Sequence, residues 1–237
     1  MSLKVLPLIS SVNQARRTMI EIGASAIESP VQQTLRKLYL NRSIKLGDQV
    51  KSWDMLETIH FIQAHVGKNE PILDIGAFAS EIAVSLHQIG YTKLAGVDLN
   101  KRLLEMPHND VIDYRVSDFM HTPFADASFK AVTSISVIEH GLNQTALLRE
   151  LSRLIRPGGY FVSSFDYWID KIDTSGINIF DMSWTIFSKE DVESFIAEAA
   201  SFHLIPVGDL DFTCIDSPIE CMDRKYTFGW LALQRIA

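Results

Sequence analysis

Cysteine is scarce: Cys214 and Cys221 are the only two in 237 residues. With no Cys-x-x-Cys pair and no histidine at zinc spacing, neither a disulfide framework nor a structural zinc site is indicated, and both thiols are expected to be reduced. Long apolar runs are missing as well. No stretch reaches 18 apolar residues, and Val5-Leu6-Pro7-Leu8-Ile9 is shorter than a secretory core, so no membrane span or export signal is read and the cytoplasm is the expected location. Positive charge is in deficit: 22 Lys and Arg face 29 Asp and Glu, for a net charge of −7, with no long basic run. The electrostatic footprint of a nucleic-acid binder is therefore absent. What is present is ordinary for a folded chain, with 47% apolar and 22% charged residues. At about 150 residues per domain, the length suits one compact domain carrying an extension.

Residues 1–69 read as helices. Val12, Ala15, Met19, Ile22 and Ala26 recur at helical spacing after the caps Ser10 and Ser11, and Pro30 ends that run. Leu35, Leu38 and Tyr39 mark a second helix; Trp53, Leu56, Ile59, Ile62 and Val66 mark a third, stopped at Gly67. From Pro71 the texture becomes strand, helix, strand. Apolar runs at 71–76, 93–98, 111–116, 131–136 and 160–164 alternate with periodic segments such as Leu147, Leu148, Leu151, Leu154 and Ile155. Ser188-Lys189-Glu190-Asp191 has the form of a capping box opening a last helix. Two late strands follow, around 204–207 and 226–233. Such alternation predicts a mostly parallel sheet covered on both faces, with ligands bound beyond the carboxyl ends of its strands.

Three features stand at strand ends in the order such a pocket requires. Gly76 closes the first strand, where a glycine lets the backbone bend close to a ligand. Asp98 ends the second strand and Asp118 the third, positions from which carboxylates can meet an adenosine-containing ligand. Any one alone reads as a turn glycine or a solvated cap; the three together describe a binding site. A nicotinamide dinucleotide is disfavoured, because only the first glycine of Gly-x-Gly-x-x-Gly is present to bring amides to a pyrophosphate.

These residues carry a resemblance to the S-adenosylmethionine-dependent methyltransferases with a Rossmann-like sheet, most closely the quinone-biosynthesis branch. The resemblance covers about residues 70–237. It rests on Ile72-Leu73-Asp74-Ile75-Gly76, Gly96-Val97-Asp98, Asp118-Phe119, Pro123 through Phe129, Val137-Ile138-Glu139-His140, and Leu151 through Gly159. It implies an α/β three-layer sandwich around a seven-stranded mostly parallel sheet with a C-terminal antiparallel hairpin. Residues 70–237 would be the S-adenosylmethionine domain, preceded by an N-terminal helical extension or cap over residues 1–69. It further implies that Asp74 and Gly76 line the methionine part of the cofactor, that Asp98 holds the ribose hydroxyls, and that Asp118 meets the adenine amino group with Phe119 beside the ring; Ala77, Phe78 and Leu99 are further candidate cofactor-binding residues. Ser134 would lie near the sulfonium. The chain departs from the family at Phe78 and Ser80, where further glycines are usual, and at Lys130, where aspartate is common. Phe78 is expected to point away from the cofactor while Ser80 caps the next helix.

Methyl transfer chiefly requires alignment of donor and acceptor. His140, after the fourth strand, is the candidate base for an oxygen or nitrogen acceptor; its rival role is to orient the loop. Glu139 is a weaker alternative base that reads more readily as a solvated or cap-supporting carboxylate, and His60 and His65 read as structural. The aromatic-rich stretch 165–187 reads as a lid or substrate wall, or as a satellite core. Asp166, Asp170 and Asp173 within it read as solvated acids, and no metal is assigned. The expected activity is methylation of a hydroxyl or amine on a small-molecule intermediate, with no nucleic-acid or membrane partner. The fourth strand lacks the Asp-Pro-Pro-Tyr-type motif of amino-methylating nucleic-acid enzymes. The alternative is a protein of the same fold that binds S-adenosylmethionine or S-adenosylhomocysteine without turnover, with Phe78 or the lid blocking the acceptor. The N-terminal helices either cover the pocket mouth, with Trp53 as a wall, or pack against a second subunit in a homodimer.

Overall fold

The computed structural model describes residues 1–40 and 43–236. In chain order the elements are β1 (Leu3–Val5), α1 (Ile9–Glu21), α2 (Pro30–Lys37), α3 (Ser52–His65), β2 (Ile72–Ile75), α4 (Ile82–Gln88), β3 (Leu94–Asp98) and β4 (Asp113–Val116). There follow β5 (Phe129–Ile135), α5 (Gln144–Leu154), β6 (Ile155–Tyr167), a short hairpin of β7 (Asn178–Ile179) and β8 (Met182–Ser183), α6 (Lys189–Ser201), β9 (Leu204–Pro206), β10 (Ile219–Cys221) and β11 (Arg224–Arg235).

Side chains along the central strands alternate between two cores, as a period of two demands when both sheet faces are covered. Ile72, Ala131, Val162 and Ala232 join the core shared with α1, α3 and α4. Their neighbours Leu73, Val132, Phe161 and Leu231 join the core beneath α5 and α6. The result is a three-layer α/β sandwich. The sheet runs β1-β11-β6-β5-β2-β3-β4, with β9 and β10 also on β11. The pairs β4·β3, β3·β2, β2·β5 and β5·β6 are parallel, whereas β11 is antiparallel to β6, β9, β10 and β1. Strand order reverses beside β2, and in such sheets the ligand position is the one beyond the carboxyl ends of the strands flanking the reversal, here β2 and β5.

Of the nine strands, β1 and β10 are additions to the expected seven. Residues 3–5 are not helical: Leu3 pairs with Leu231 and Val5 with Gly229, so this segment covers part of an otherwise open edge. Helix α1 starts at Ile9, and no side chain caps it. Pro30 opens α2 rather than ending α1, at a position where its missing N–H costs nothing. Ser188 and Asp191 form the expected capping box of α6.

Helix α3 lies against the sheet, where Trp230 Nε1 donates to Thr58 Oγ1 at 3.0 Å. Helix α1 is fastened by an ion pair. Arg16 reaches Glu81 with Nη1 2.6 Å from Oε1 and Nη2 2.9 Å from Oε2, and the two side chains are only 4% and 1% exposed. Glu81 Oε1 also accepts the Ala26 N–H at 2.7 Å. Because Glu81 stands at the start of α4, this pair ties the N-terminal segment to the turn after β2. Removing one partner strands a buried charge, so Arg16→Ala is expected to cost about 3 to 5 kcal/mol of stability. Urea unfolding checks this, and a loss below about 1 kcal/mol would mean that Glu81 is solvated like a surface ion pair.

Candidate active site

Five of the expected residues are held together by backbone geometry at the ends of β2 and β3. Asp74 is 2% exposed; its Oδ1 accepts from Thr133 Oγ1 at 2.9 Å, while Oδ2 has no partner. Gly76 has φ +70°, and a Cβ there would fall 2.3 Å from a Val137 methyl carbon, so glycine lets the turns after β2 and β5 touch. Ala77 is buried and its N–H donates to the Val97 carbonyl at 3.0 Å. The Asp98 carboxylate accepts the Phe78 N–H at 3.1 Å on one oxygen and the Asn100 N–H at 2.8 Å on the other. Asp74, Ala77, Phe78 and Asp98 thus surround the Gly76 bend. The Phe78 side chain packs against the core, as does Ala79. Ser80 Oγ accepts the Ile82 N–H at 3.4 Å, but the N-cap of α4 is Glu81 and no side chain caps this helix, so Ser80 is not the expected cap.

The other predicted residues ring this centre. Leu99, beside Asp98, is 65% exposed. The end of β4 is tied to β3 by the Ser117 N–H, which donates to the Asp98 carbonyl at 3.0 Å. Beyond it Asp118 is exposed and accepts the Met120 N–H at 2.8 Å, and Phe119 is half-buried against the α5 side. Ser134, one residue past Thr133, is fully buried with an unpartnered Oγ. His140 is half-buried; its Nδ1 has no partner, and its ring stands edge-on to Phe180 at 5.5 Å. Lys130 donates to the Gly158 carbonyl at 2.7 Å at the far end of β5. A surface hollow of about 290 Å³, lined among others by Pro71, Lys93, Asp113 and Phe129, opens at the amino ends of the strands and contains none of these residues.

Two sequence readings need correction. Glu139 is not solvated: it is 1% exposed, and Oε2 has no partner. Asp166 is likewise interior, 4% exposed within β6, because that strand extends through Tyr167. Asp170 and Asp173 are exposed, as read. In the aromatic stretch, Trp184 and Phe187 are buried while Phe180 is exposed. Tyr114 was not singled out by sequence reasoning, yet its hydroxyl is buried and unpartnered on the Asp74 side of β4. The alternation of Ile112, Tyr114 and Val116 was the available signal.

Burial governs the charges here. Desolvation pushes Asp74 up to about 7, against the hydrogen bond from Thr133 that favours its anion. Burial also raises the Tyr114 hydroxyl, with Asp74 adding to the effect. It lowers His140, which therefore stands as a neutral imidazole near neutral pH.

Residues 73–163 match the family model described as a methyltransferase domain. Methyltransferase GfsG of Streptomyces halstedii is 23% identical over 158 residues, 61% of this chain and 57% of the relative. A demethylmenaquinone methyltransferase of Mycobacterium marinum is 31% identical over 97 residues, 41% of this chain and 42% of the relative. The chain spans between about a third and three fifths of the length of the curated relatives it matches. Among solved structures, a geranyl diphosphate methyltransferase in complex with S-adenosylmethionine superposes with a TM-score of 0.55 at 19% identity, over 76% of this chain and 85% of that one. This likeness is one of fold.

The raised carboxyl of Asp74 has a pH signature. Between about pH 4 and pH 7 the folded protein keeps this proton while the unfolded chain has released it, so the contribution of Asp74 to stability falls as pH rises and levels off above about 7. Asp74→Asn is expected to flatten that decline and to stabilise the ligand-free protein more at pH 7.5 than at pH 5. Urea unfolding at the two pH values checks this, and equal effects at both would mean that Asp74 titrates normally.

Proposed function

We propose that this chain, a member of the class I S-adenosylmethionine-dependent methyltransferases, transfers a methyl group to a hydroxyl or amine of a small-molecule biosynthetic intermediate. The observation that carries the reading is the Asp98 carboxylate gripping the Phe78 amide beside the unpartnered Oδ2 of Asp74. The residues fit the cofactor. Each Asp98 oxygen uses one lone pair on a backbone N–H and keeps another for a ribose hydroxyl. Asp74 Oδ2 offers a buried acceptor to the ammonium of the methionine part, whose charge would favour the aspartate anion. Leu99 would border the ribose, Asp118 and Phe119 would take the adenine, and Ser134 would lie near the sulfur.

When bound, the cofactor supplies a methyl group on a positively charged sulfur. The chain's own task is alignment, an effect worth up to roughly 7 to 11 kcal/mol in ideal intramolecular models. His140, neutral near pH 7, would accept the acceptor's proton. The packing of Phe78 against the core counts against a side chain that blocks the site. Among the described residues no helix is long and apolar enough to cross a membrane. The free thiols Cys214 and Cys221 agree with a reducing, cytoplasmic setting, and the net charge of −7 favours small-molecule over nucleic-acid acceptors.

Two variants test the reading. Asp98→Ala is expected to weaken S-adenosylhomocysteine binding by about 1 to 3 kcal/mol, or roughly 5- to 150-fold, by calorimetric titration; unchanged affinity removes Asp98 from the site. His140→Ala is expected to preserve that binding and to slow transfer by roughly a hundredfold or more in an assay of methyl release from labelled cofactor across an acceptor panel. An unchanged rate makes His140 structural. Tight binding with no methylated product from any acceptor favours a binding protein without turnover.

A further inference from the structure

Beyond the carboxyl ends of β5 and β6, three interior carboxylates face one ammonium. Asp54 comes from α3, Glu139 from the loop after β5, and Asp166 from β6; they are 0%, 1% and 4% exposed. Asp54 and Glu139 each keep an oxygen with no partner, and the free oxygen of Asp166 meets only an ammonium. Ser164 Oγ donates to Asp54 Oδ2 at 2.8 Å, leaving Oδ1 without a partner. Trp184 Nε1 donates to Asp166 Oδ2 at 2.8 Å, and Asp166 Oδ1 has no hydrogen bond. Glu139 Oε2 has none either. The ammonium is Lys51, whose Nζ lies 3.5 Å from Asp166 Oδ1 and 3.5 Å from the centre of the Phe228 ring.

Isolated carboxylates are costly to bury, and one lysine does not balance three. Their electrostatic coupling gives the result: burial, then the neighbouring Asp166, drives Glu139 well above the usual carboxylate range, and burial pushes Asp54 up to about 6. The same charges act on His140, which feels both Asp166 and Lys51. The cluster therefore adjoins the proposed base. Lys51 on the Phe228 ring displays the chemistry of the place, a cation held between carboxylate and aromatic face. The Trp184 and Tyr226 rings, 5.7 Å apart, extend that wall.

Resting on the methyltransferase reading, we propose that Asp54, Glu139 and Asp166 form the recognition site for the methyl acceptor, and that the acceptor is an amine that arrives as its ammonium. A second cation supplies the missing counter-charge and several N–H donors at once, whereas a neutral hydroxyl supplies a single donor and no charge. One N–H proton then passes from the ammonium to His140. The freed nitrogen lone pair attacks the methyl carbon as the carbon–sulfur bond breaks with its electron pair going to sulfur, leaving a methylated ammonium, a neutral thioether and an imidazolium. The three acids position the acceptor; they take no part in bond making.

The test uses the full chain and two probes of matched shape, benzylamine and benzyl alcohol, read as shifts in Tm with and without S-adenosylhomocysteine. Benzylamine is expected to raise Tm and benzyl alcohol to leave it unchanged. Glu139→Gln and, as a second variant should the first not fold, Asp54→Asn are expected to abolish the amine's shift while keeping that of S-adenosylhomocysteine. Equal shifts from both probes, an amine shift that survives in the variants, or no amine shift in the wild type overturns the proposal. A wild-type protein that S-adenosylhomocysteine fails to stabilise overturns the methyltransferase reading instead, and the amine arm is read independently of it.

Discussion

A guanidinium buried against a carboxylate joins α1 to the helix that follows the glycine bend. Arg16 and Glu81 are 65 positions apart and almost wholly withdrawn from water. Neither charge tolerates such a place alone, so the segment ahead of the sheet and the helix after the glycine bend are obliged to form together. The Gly47 N–H reinforces the link by donating to the Ala79 carbonyl at 2.9 Å. The bend at Gly76 is thereby clamped from outside by α1 and from inside by the Asp98 carboxylate.

The pattern of strand ends was legible because it depends on local rules. Short apolar runs closed by glycine or aspartate gave β2 and β3 within a residue or two of their observed limits, and the Ser188 capping box was readable from four consecutive residues. The site residues Asp74, Gly76, Ala77, Phe78 and Asp98 come from two such turns, and their convergence follows from adjacent parallel strands. What escaped depends on distant partners. Leu3–Val5 becomes a strand only because Gly229–Leu231 lies beside it. Nothing near Asp54 in sequence signals that Ser164, 110 residues away, will hold it. An acid in a loop-like stretch was read as solvated, and at Asp166 the long β6 strand overrode that expectation.

The same layout separates two kinds of electrostatics. At the β3 end the carboxylate of Asp98 is half-exposed and already engaged by backbone N–H groups, which orient it without discharging it. At the ends of β5 and β6 the carboxylates are interior and incompletely paired. A sheet that only needed stability would fill those positions with apolar groups of similar volume, which are often as stable or more so than buried ions. Polar atoms left bare inside a folded protein are uncommon. Here they gather where the neighbouring strands β5 and β6 end against α3.

Strand β11 has a bearing on how the chain reaches this state. It lies between β6 on one side and β1 with β9 on the other, and Leu231 pairs with both Ser163 and Leu3. Loops of such length close slowly, since the entropy of closure precedes any gain from pairing. Until residues 224–235 have emerged from the ribosome, β6 has an open edge and β1 lacks the strand it pairs with along Leu3–Val5, so closure of that side of the sheet must wait for synthesis to pass that point.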